Sequence, residues 1–210
     1  MTARGRESIV HIVDDDEAIC SSLRLLLKSR GIPAAAHGSA EEFLAKYDPE
    51  QPGCLVLDVR MPGMSGLELQ DELNRRGAII PVIFITGHGD VPMAVEAMQH
   101  GATDFLQKPF SDQDFTDRIQ RAIALDLRNR AKLQERDQIC ARLAALTRRE
   151  LQVLRLVTLG KSNKVVAADL GVSQRTVEIH RAHLMEKMGA TSLAHLVRMT
   201  MIADMRVSTY

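Results

Sequence analysis

The first half of the chain alternates short apolar runs with stretches in which apolar residues recur at helical spacing. Short apolar runs bounded by turn residues are typical of buried strands, and spacings of three and four residues are typical of helices. Strands that alternate with helices predict a doubly wound, five-stranded parallel sheet of the flavodoxin-like kind. The predicted strands are Ile9–Val13, Cys54–Leu57, Val82–Ile85 and Ala102–Leu106, with a weaker candidate at Ala34–His37.

The second half of the chain is expected to be helical, because the residues that form turns are concentrated before it. All seven prolines lie at or before Pro109, and neither glycine nor proline occurs between Phe110 and Leu159. The charged segment RNRAKLQERDQ in this stretch favours a helix that leaves the first domain, with a disordered linker as the alternative. The expected boundaries are a first domain at residues 1–125, a linker at 126–142 and a second domain at 143–210.

Four short helices are predicted beyond Leu146, which makes the second domain all-α. Each begins at a serine or threonine that can cap a helix, and the first three end at a glycine. The expected caps are Thr147 with Glu150 as a capping box, then Ser162, Ser173, and Thr191 or Ser192, and the terminating glycines are Gly160, Gly171 and Gly189.

The formal net charge of zero conceals two halves of opposite sign. Residues 1–125 carry 12 Lys and Arg against 19 Asp and Glu, a net charge of −7. Residues 141–210 carry 11 against 5, a net charge of +6. An acidic domain favours cations and basic partners, whereas a basic domain favours polyanions such as DNA.

The cysteines and the apolar runs indicate the cellular location of the protein. Three well-separated cysteines, Cys20, Cys54 and Cys140, indicate neither a disulfide framework nor a zinc site with paired ligands. The first residues lack the apolar stretch of a signal peptide, and no run approaches the ~20 apolar residues of a membrane span. We therefore expect a cytoplasmic protein without a membrane partner.

Four predicted strands end in polar residues that suit one chemistry. Asp14–Asp16 follow the first strand, Asp58 follows the third, Thr86 ends the fourth and Lys108 follows the fifth. In a parallel sheet these positions share the carboxyl edge, where ligands bind. A run of aspartates after a strand commonly caps a helix, which is the alternative for that feature taken alone. Together, carboxylates that bind Mg²⁺, a hydroxyl and an ammonium are what phosphoryl transfer onto Asp58 requires.

The segments VHIVDDDEA, CLVLDVRMPGMSGLEL, VIFITGHGD and ATDFLQKPF resemble the receiver domains of bacterial response regulators, over residues 7–125. The resemblance implies that Asp58 is phosphorylated, that a cis peptide bond precedes Pro109 and that Asp16 has no metal role. His88 is expected to be exposed beside the site. The further roles that the resemblance implies are Mg²⁺ (or Mn²⁺) binding by Asp14, Asp15, Asp58 and the backbone carbonyl of Arg60, phosphoryl binding by Thr86 and Lys108, and switching by Thr86 and Phe105.

The third helix of the second domain has two distinct faces. Val177, Leu184 and Met188 lie on one side and are expected to pack inward, while the opposite side presents polar and small residues. A major-groove recognition helix needs such a pair of faces. A four-helix domain that docks onto another protein is the alternative. The candidate DNA-contacting residues are Lys161, Asn163, Lys164, Ser173, Arg175, Thr176, Glu178, Ile179, Arg181 and Ala182, with Lys161, Lys164, Arg175 and Arg181 as phosphate contacts.

Residues 143–202, with LTRRE, GKSNK, LGVSQRTVEIHR and MEKMGA, resemble the LuxR-type helix-turn-helix, and the whole chain resembles response regulators of the FixJ/NarL class. The resemblance implies that a sensor histidine kinase is the phosphodonor and that the protein binds double-stranded DNA to regulate transcription. It also implies a homodimer on phosphorylation, RNA polymerase as a further partner, and a receiver that catalyses only its own phosphorylation and dephosphorylation.

Two alternative functions remain open at this point. A Mg²⁺-dependent phosphatase-like enzyme is disfavoured, because no acidic residue stands two positions after Asp58 to act as acid or base. A phosphorylation-independent adaptor is the other. Self-association is expected through the fourth helix, where Val91, Val95 and Met98 share a face near Phe105; the alternative is that these apolar residues are all core.

Overall fold

A sheet forms the centre of the first of two units into which the chain divides. The structure, a computed structural model, describes residues 6–87 and 91–204, and the division between the units falls after Arg130. The elements of the first unit are β1 (Ile9–Val13), α1 (Glu17–Ser29), β2 (Ala34–His37), α2 (Ala40–Lys46), β3 (Gly53–Asp58), α3 (Gly66–Arg75), β4 (Val82–Thr86), α4 (Val91–Gln99), β5 (Asp104–Gln107) and α5 (Asp112–Ala144).

The sheet has the strand order β2-β1-β3-β4-β5, and every neighbouring pair is parallel. The predicted doubly wound, five-stranded architecture is therefore confirmed. In the register of the sheet, Val13 pairs with Leu57, Asp58 with Ile85, and Thr86 with Gln107. The carboxyl ends of β1, β3, β4 and β5 consequently lie along one edge.

Helices cover both faces of the sheet, which explains why its strands are nearly continuous apolar runs. Successive side chains of a strand point to opposite faces. On β3, Leu55 and Leu57 enter a core shared with α2, α3 and α4, whereas Cys54 and Val56 enter a core shared with α1 and α5. The central strand is thus buried on both sides, and only its last residue, Asp58, is partly accessible.

The predicted start of the fifth strand is wrong by two residues. β5 begins at Asp104 and not at Ala102, because Ala102 completes the end of α4. Gly101 has a φ of +92°, which few other residues adopt, and the Ala102 N–H donates to the Ala97 carbonyl at 3.0 Å. Ala102 is apolar because its side chain is buried at the end of a helix, and not because it belongs to a strand.

The long helix α5 has 33 residues and contains the whole segment 126–142. Phe115 and Ile119, near its start, are fully buried in the core of the first unit. Ile139, near its end, is buried in the core of the second unit. One continuous helix therefore supplies apolar side chains to both cores.

Asp126 on α5 is a fully buried acid whose partners lie far away in the sequence. Its Oδ2 accepts hydrogen bonds from the Gly53 N–H at 2.9 Å and from Arg130 Nε at 2.7 Å. Arg130 also donates to the carbonyls of Pro49 at 2.7 Å and Gln51 at 3.0 Å. These contacts fasten α5 to the amino end of β3, the strand that carries Asp58 at its other end.

In the second unit, as far as residue 204, four helices beyond the end of α5 surround one core of their own. The buried side chains come from every helix, as the predicted amphipathic spacing requires. The all-α second domain of four helices is therefore confirmed. Its helices are α6 (Arg148–Thr158), α7 (Asn163–Leu170), α8 (Gln174–Met188) and α9 (Leu193–Asp204).

The capping box predicted at Thr147 is present. Thr147 Oγ1 accepts from the Glu150 N–H at 3.3 Å, and Glu150 Oε2 accepts from the Thr147 N–H at 2.7 Å. Gly171 and Gly189 end α7 and α8, each with a φ of +64°. These three features confirm the local signals on which the helix boundaries rest.

The serine caps follow the prediction with one exception. Ser173 Oγ accepts from the Thr176 N–H at 3.1 Å, and Ser192 Oγ accepts from the His195 N–H at 3.1 Å, so Ser192 and not Thr191 caps α9. Ser162 occupies the N-cap position of α7, but its hydroxyl makes no capping hydrogen bond. The expectation of that bond is wrong.

Replacing Asp126 by asparagine should destabilise the first unit. Asp126→Asn leaves the partly buried guanidinium of Arg130 without its counter-ion, which we expect to lower the free energy of unfolding by about 3 kcal/mol. The chain has two tyrosines and no tryptophan, so urea unfolding followed by tyrosine fluorescence in the Tyr210→Phe background, where Tyr47 is the reporter, measures this change. Asp137→Asn, at an exposed position of the same helix, is the control. Equal stabilities of the two variants would show that the Asp126 contacts add nothing.

Candidate phosphoacceptor site and DNA-binding surface

Lys108 places its ammonium group between two carboxylates at the carboxyl edge of the sheet. Its Nζ lies 3.0 Å from Asp14 Oδ2 and 3.4 Å from Asp58 Oδ1. Asp14 follows β1, Asp58 ends β3 and Lys108 follows β5, so residues distant in sequence meet because the parallel strands end together. The structure therefore brings Asp14, Asp58 and Lys108 together, as the sequence predicts.

These three side chains carry two negative charges and one positive charge. The side chain of Asp14 is only 2% exposed, and that of Asp58 is 13% exposed. Burial raises the pKa of Asp58, and the nearby charge of Asp14 raises it further, whereas the Arg60 N–H, 2.8 Å from Asp58 Oδ2, and Lys108 lower it. Two carboxylates that share one ammonium leave an excess negative charge, which attracts a cation.

Thr86 and Lys108 are joined through the backbone, since the Lys108 N–H donates to the Thr86 carbonyl at 2.8 Å. Thr86 is buried at the end of β4. Phe105, on the neighbouring strand, is half-buried and packs against the core under α4. The expected cis peptide bond between Lys108 and Pro109 is present.

The backbone after Asp58 turns too tightly for any residue but glycine at position 66. A Cβ added to Gly66 would lie 2.2 Å from the Asp58 carbonyl oxygen, and the Gly66 N–H donates to the Val59 carbonyl at 3.0 Å. Glu41 Oε1, from α2, accepts from the Met64 N–H of the same loop at 3.3 Å. Gly66 and Glu41 thus shape the loop that carries Arg60, and neither was singled out from the sequence.

The two faces of α8 are those that the sequence predicts. Val177, Leu184 and Met188 are fully buried in the core of the second unit. The opposite side is exposed and consists of Arg175, Glu178, Ile179 and Ala182.

Several predicted DNA contacts engage other side chains of the second unit. Arg181 donates to Asn163 Oδ1 at 2.9 Å, and Lys161 Nζ lies 2.7 Å from Asp169 Oδ2. The hydroxyls of Ser173 and Thr176 lie 2.8 Å apart at the start of α8. Lys164 and Arg175 are exposed. The hydrogen bond from Arg181 of α8 to Asn163 of α7 therefore orients part of this surface before any ligand binds.

Glu150 connects the start of α6 to the end of α8. Its Oε2 accepts from the Thr147 N–H at 2.7 Å and lies 2.8 Å from Lys187 Nζ, and its side chain is 4% exposed. The bond to Lys187 lowers the pKa of Glu150 to about 2, and the hydrogen bonds from Thr147 act in the same direction. Lys187 was not singled out from the sequence, because its partner is 37 residues away.

Comparison with known proteins accounts for both units. The response regulator receiver domain matches residues 10–120, and the luxR family of bacterial regulatory proteins matches residues 144–200. The transcriptional regulatory protein FixJ of Azorhizobium caulinodans is 49% identical over 194 residues, which cover 92% of each chain. The response regulator TodT of Pseudomonas putida is 42% identical over 93% of this chain and 86% of its own.

The chain belongs to the response regulators that have a LuxR-type DNA-binding domain. The solved structure of the response regulator StyR superposes with a TM-score of 0.84 at 44% identity, covering 93% of this chain and 98% of StyR. This response regulator functions in two-component regulation of transcription, with DNA and a cognate kinase as partners. Receiver domains bind Mg²⁺ at an acidic pocket with buried aspartates.

The predicted metal ligands of the response regulator are only partly brought together. Asp15 is exposed, and Asp16 caps α1, its Oδ1 accepting from the Ala18 N–H at 2.8 Å. Across residues 6–87 and 91–204, no three Asp, Glu, His or Cys side chains are grouped closely enough to hold a metal ion. Asp15 therefore does not join Asp14 and Asp58 in this structure, and its metal role stays a prediction.

Two further expectations concern the surroundings of the receiver site. His88 lies outside the described residues, as does the side chain of Val91. On α4, Val95 and Met98 are 47% and 48% exposed, whereas Ala97 is buried. No helix in the described part of the response regulator has both the length and the apolar character that a membrane span requires.

Glu150→Gln should destabilise the second unit and remove part of its acid sensitivity. The folded-state pKa of about 2 lies below the unfolded value of 4.5, so the carboxylate contributes stability above pH 4.5 that is lost as the pH falls towards 2. We expect Glu150→Gln to cost about 2 kcal/mol at pH 7, because the ion pair with Lys187 is lost and the capping-box bonds from Thr147, which glutamine can still accept, lose their charge.

Hydrogen exchange of the amides in α6 and α8, measured at several pH values, tests this prediction. The exposed Glu186→Gln on α8 is the matched control and should exchange as the wild type does. Equal protection in both variants at pH 7 would contradict the prediction.

Proposed function

We propose that Asp58 is the phosphoacceptor of this response regulator and that a sensor histidine kinase supplies the phosphoryl group. The position of the Lys108 ammonium between Asp14 and Asp58 carries the proposal. In the transfer, an Asp58 carboxylate oxygen bonds to phosphorus while the bond from phosphorus to the donor histidine nitrogen breaks. The electron pair of that bond stays on the histidine nitrogen. Lys108 and the Thr86 hydroxyl bind the phosphoryl oxygens.

The residues at this edge suit a divalent cation, Mg²⁺ (or Mn²⁺). Asp14 and Asp58 are hard oxygen donors with an excess negative charge, and the backbone carbonyl of Arg60 and the carboxylate of Asp15 are the remaining proposed ligands. When bound, the cation neutralises charge on the phosphoryl oxygens. The Arg60 N–H orients the acceptor by holding Asp58 Oδ2.

Phosphorylation acts as a switch, because it adds charge and acceptor oxygens to Asp58. Thr86 and Phe105 lie on neighbouring strands, β4 and β5, and respond to the new group. The exposed Val95 and Met98 on α4 supply an apolar surface for a second copy of the receiver. A dimer would present two copies of α8 to paired half-sites in double-stranded DNA.

The proposed DNA surface comprises the exposed side of α8 and the adjoining residues of α7. Lys164 and Arg175 contact phosphates, while Glu178, Ile179 and Ala182 face base edges. RNA polymerase is a further partner of the promoter-bound dimer, and the cytoplasm is the site of action. The receiver catalyses only its own phosphorylation and dephosphorylation, since Arg60 stands where a phosphatase-like enzyme would need an acid or base.

Asp58→Asn should abolish acid-labile phosphorylation by acetyl phosphate while the fold persists, because the amide has the same shape but cannot attack phosphorus. Mass spectrometry of the intact protein with Mg²⁺ present measures the covalent phosphate. Chelation of Mg²⁺ should abolish the labelling of the wild type. Asp112→Asn, at an exposed aspartate at the start of α5, is the control and should be labelled normally.

The same samples test the switch. The phosphorylated wild type should sediment as a dimer with a dissociation constant in roughly the micromolar range, or about 8 kcal/mol, and Asp58→Asn should remain monomeric. Labelling that persists in Asp58→Asn would move the acceptor elsewhere. A phosphorylated wild type that stays monomeric while it saturates DNA would contradict dimerisation as the switch.

A further inference from the structure

The backbone carbonyls at the end of α8 accept hydrogen bonds from backbone N–H groups and from one side chain. The last four carbonyls of a helix have no partner within the helix. At the end of α8, the Gly189 N–H donates to Glu186 at 2.9 Å and the Ala190 N–H donates to Met185 at 2.9 Å. The carbonyl of Met188, the final residue of the helix, is left to a side chain from another helix.

That side chain is Arg142, from the last turn of α5. Its Nη1 donates to the Met188 carbonyl at 2.8 Å. A guanidinium at the carboxyl end of a helix also interacts favourably with the partial negative charge there. A Cβ added to Gly189 would lie 2.9 Å from Arg142 Nη1, so the glycine that ends α8 also leaves room for the guanidinium.

The backbone that carries Arg142 is held in place by apolar packing. Ile139 is 3% exposed, and Leu143 packs against the same core, which also contains Leu184 and Met188 of α8. Ile139 and Leu143, which lie three residues before and one residue after Arg142, thus hold the backbone of this turn beside the end of α8. The contact between Arg142 and Met188 is therefore supported by the core of the second unit and is not an isolated surface interaction.

We propose that Arg142 is a positioning residue of the DNA-binding surface. By fixing the carboxyl end of α8, it sets the direction in which that helix presents Arg175, Glu178 and Ile179. The amino end of α8 is fixed separately by the Ser173 cap. The proposal rests on the assignment of α8 as the recognition helix, and it makes the last turn of α5 a working part of the DNA-binding domain.

A positioning role predicts a loss of discrimination between DNA sequences. Two DNA duplexes of about 30 bp, long enough for two half-sites, serve as probes. One is selected by the wild type from a random library, and the other is a scrambled sequence of equal composition. Arg142→Gln should bind the selected duplex about tenfold more weakly and the scrambled one within about twofold of the wild type, with an unchanged salt dependence. Arg142→Lys, which keeps a charged donor, should recover most of the affinity.

Two matched variants separate positioning from a simple loss of charge. Arg128→Gln removes an exposed arginine from the same helix and should bind both duplexes as the wild type does. Lys164→Ala removes a proposed phosphate contact and should weaken binding to both duplexes, with a salt slope lower by about one. If Arg142→Gln matches either control, the proposal is overturned.

Hydrogen exchange shows whether the domain still folds. Arg142→Gln should lose protection only in the last turn of α8. If protection is lost throughout α6 to α9, the deciding variant is Gly189→Ala, whose Cβ displaces the Arg142 guanidinium while the charge stays. If Gly189→Ala still discriminates between the selected and the scrambled duplex, the proposal is overturned. Failure of the wild type to select any duplex would refute the proposed DNA function itself, which is a different outcome.

Discussion

The receiver depends on one electrostatic arrangement, in which the ammonium of Lys108 holds the carboxylates of Asp14 and Asp58 together. The two neighbouring carboxylates, one buried and one partly buried, repel each other, and a single lysine balances only half of their charge. Burial raises the pKa of Asp58 and so disfavours its ionised, nucleophilic form, whereas a cation bound beside it would favour that form. The parallel sheet, the tight turn at Gly66 and the backbone bond between Lys108 and Thr86 all serve to maintain this arrangement.

The helix α5 serves each unit separately. In the first unit, Asp126 and Arg130 bind the amino end of β3 and the chain before it. In the second unit, Ile139 packs in the core and Arg142 binds the end of α8. A segment whose composition indicates a polar linker thus contains residues that each unit needs for its own structure.

Local signals in the sequence predict much of this architecture. The strands, the capping box at Thr147 and the buried face of α8 depend on periodicity and on neighbours a few residues away. Pairing between distant side chains is different, because it depends on which helix faces are brought together. Nothing near Asp126 indicates that it bonds to Gly53, and nothing near Lys161 indicates Asp169 as its partner.

Calorimetric titration of Mg²⁺ into the protein tests whether the pocket formed by Asp14, Asp58 and Lys108 binds a cation. Asp14→Asn and the exposed control Asp112→Asn differ only in whether the lost charge belongs to the pocket. The wild type and the control should each bind one Mg²⁺ per chain. Asp14→Asn should bind Mg²⁺ more weakly by about tenfold or more, or about 1.4 kcal/mol. Equal Mg²⁺ affinity in Asp14→Asn and the wild type would contradict it.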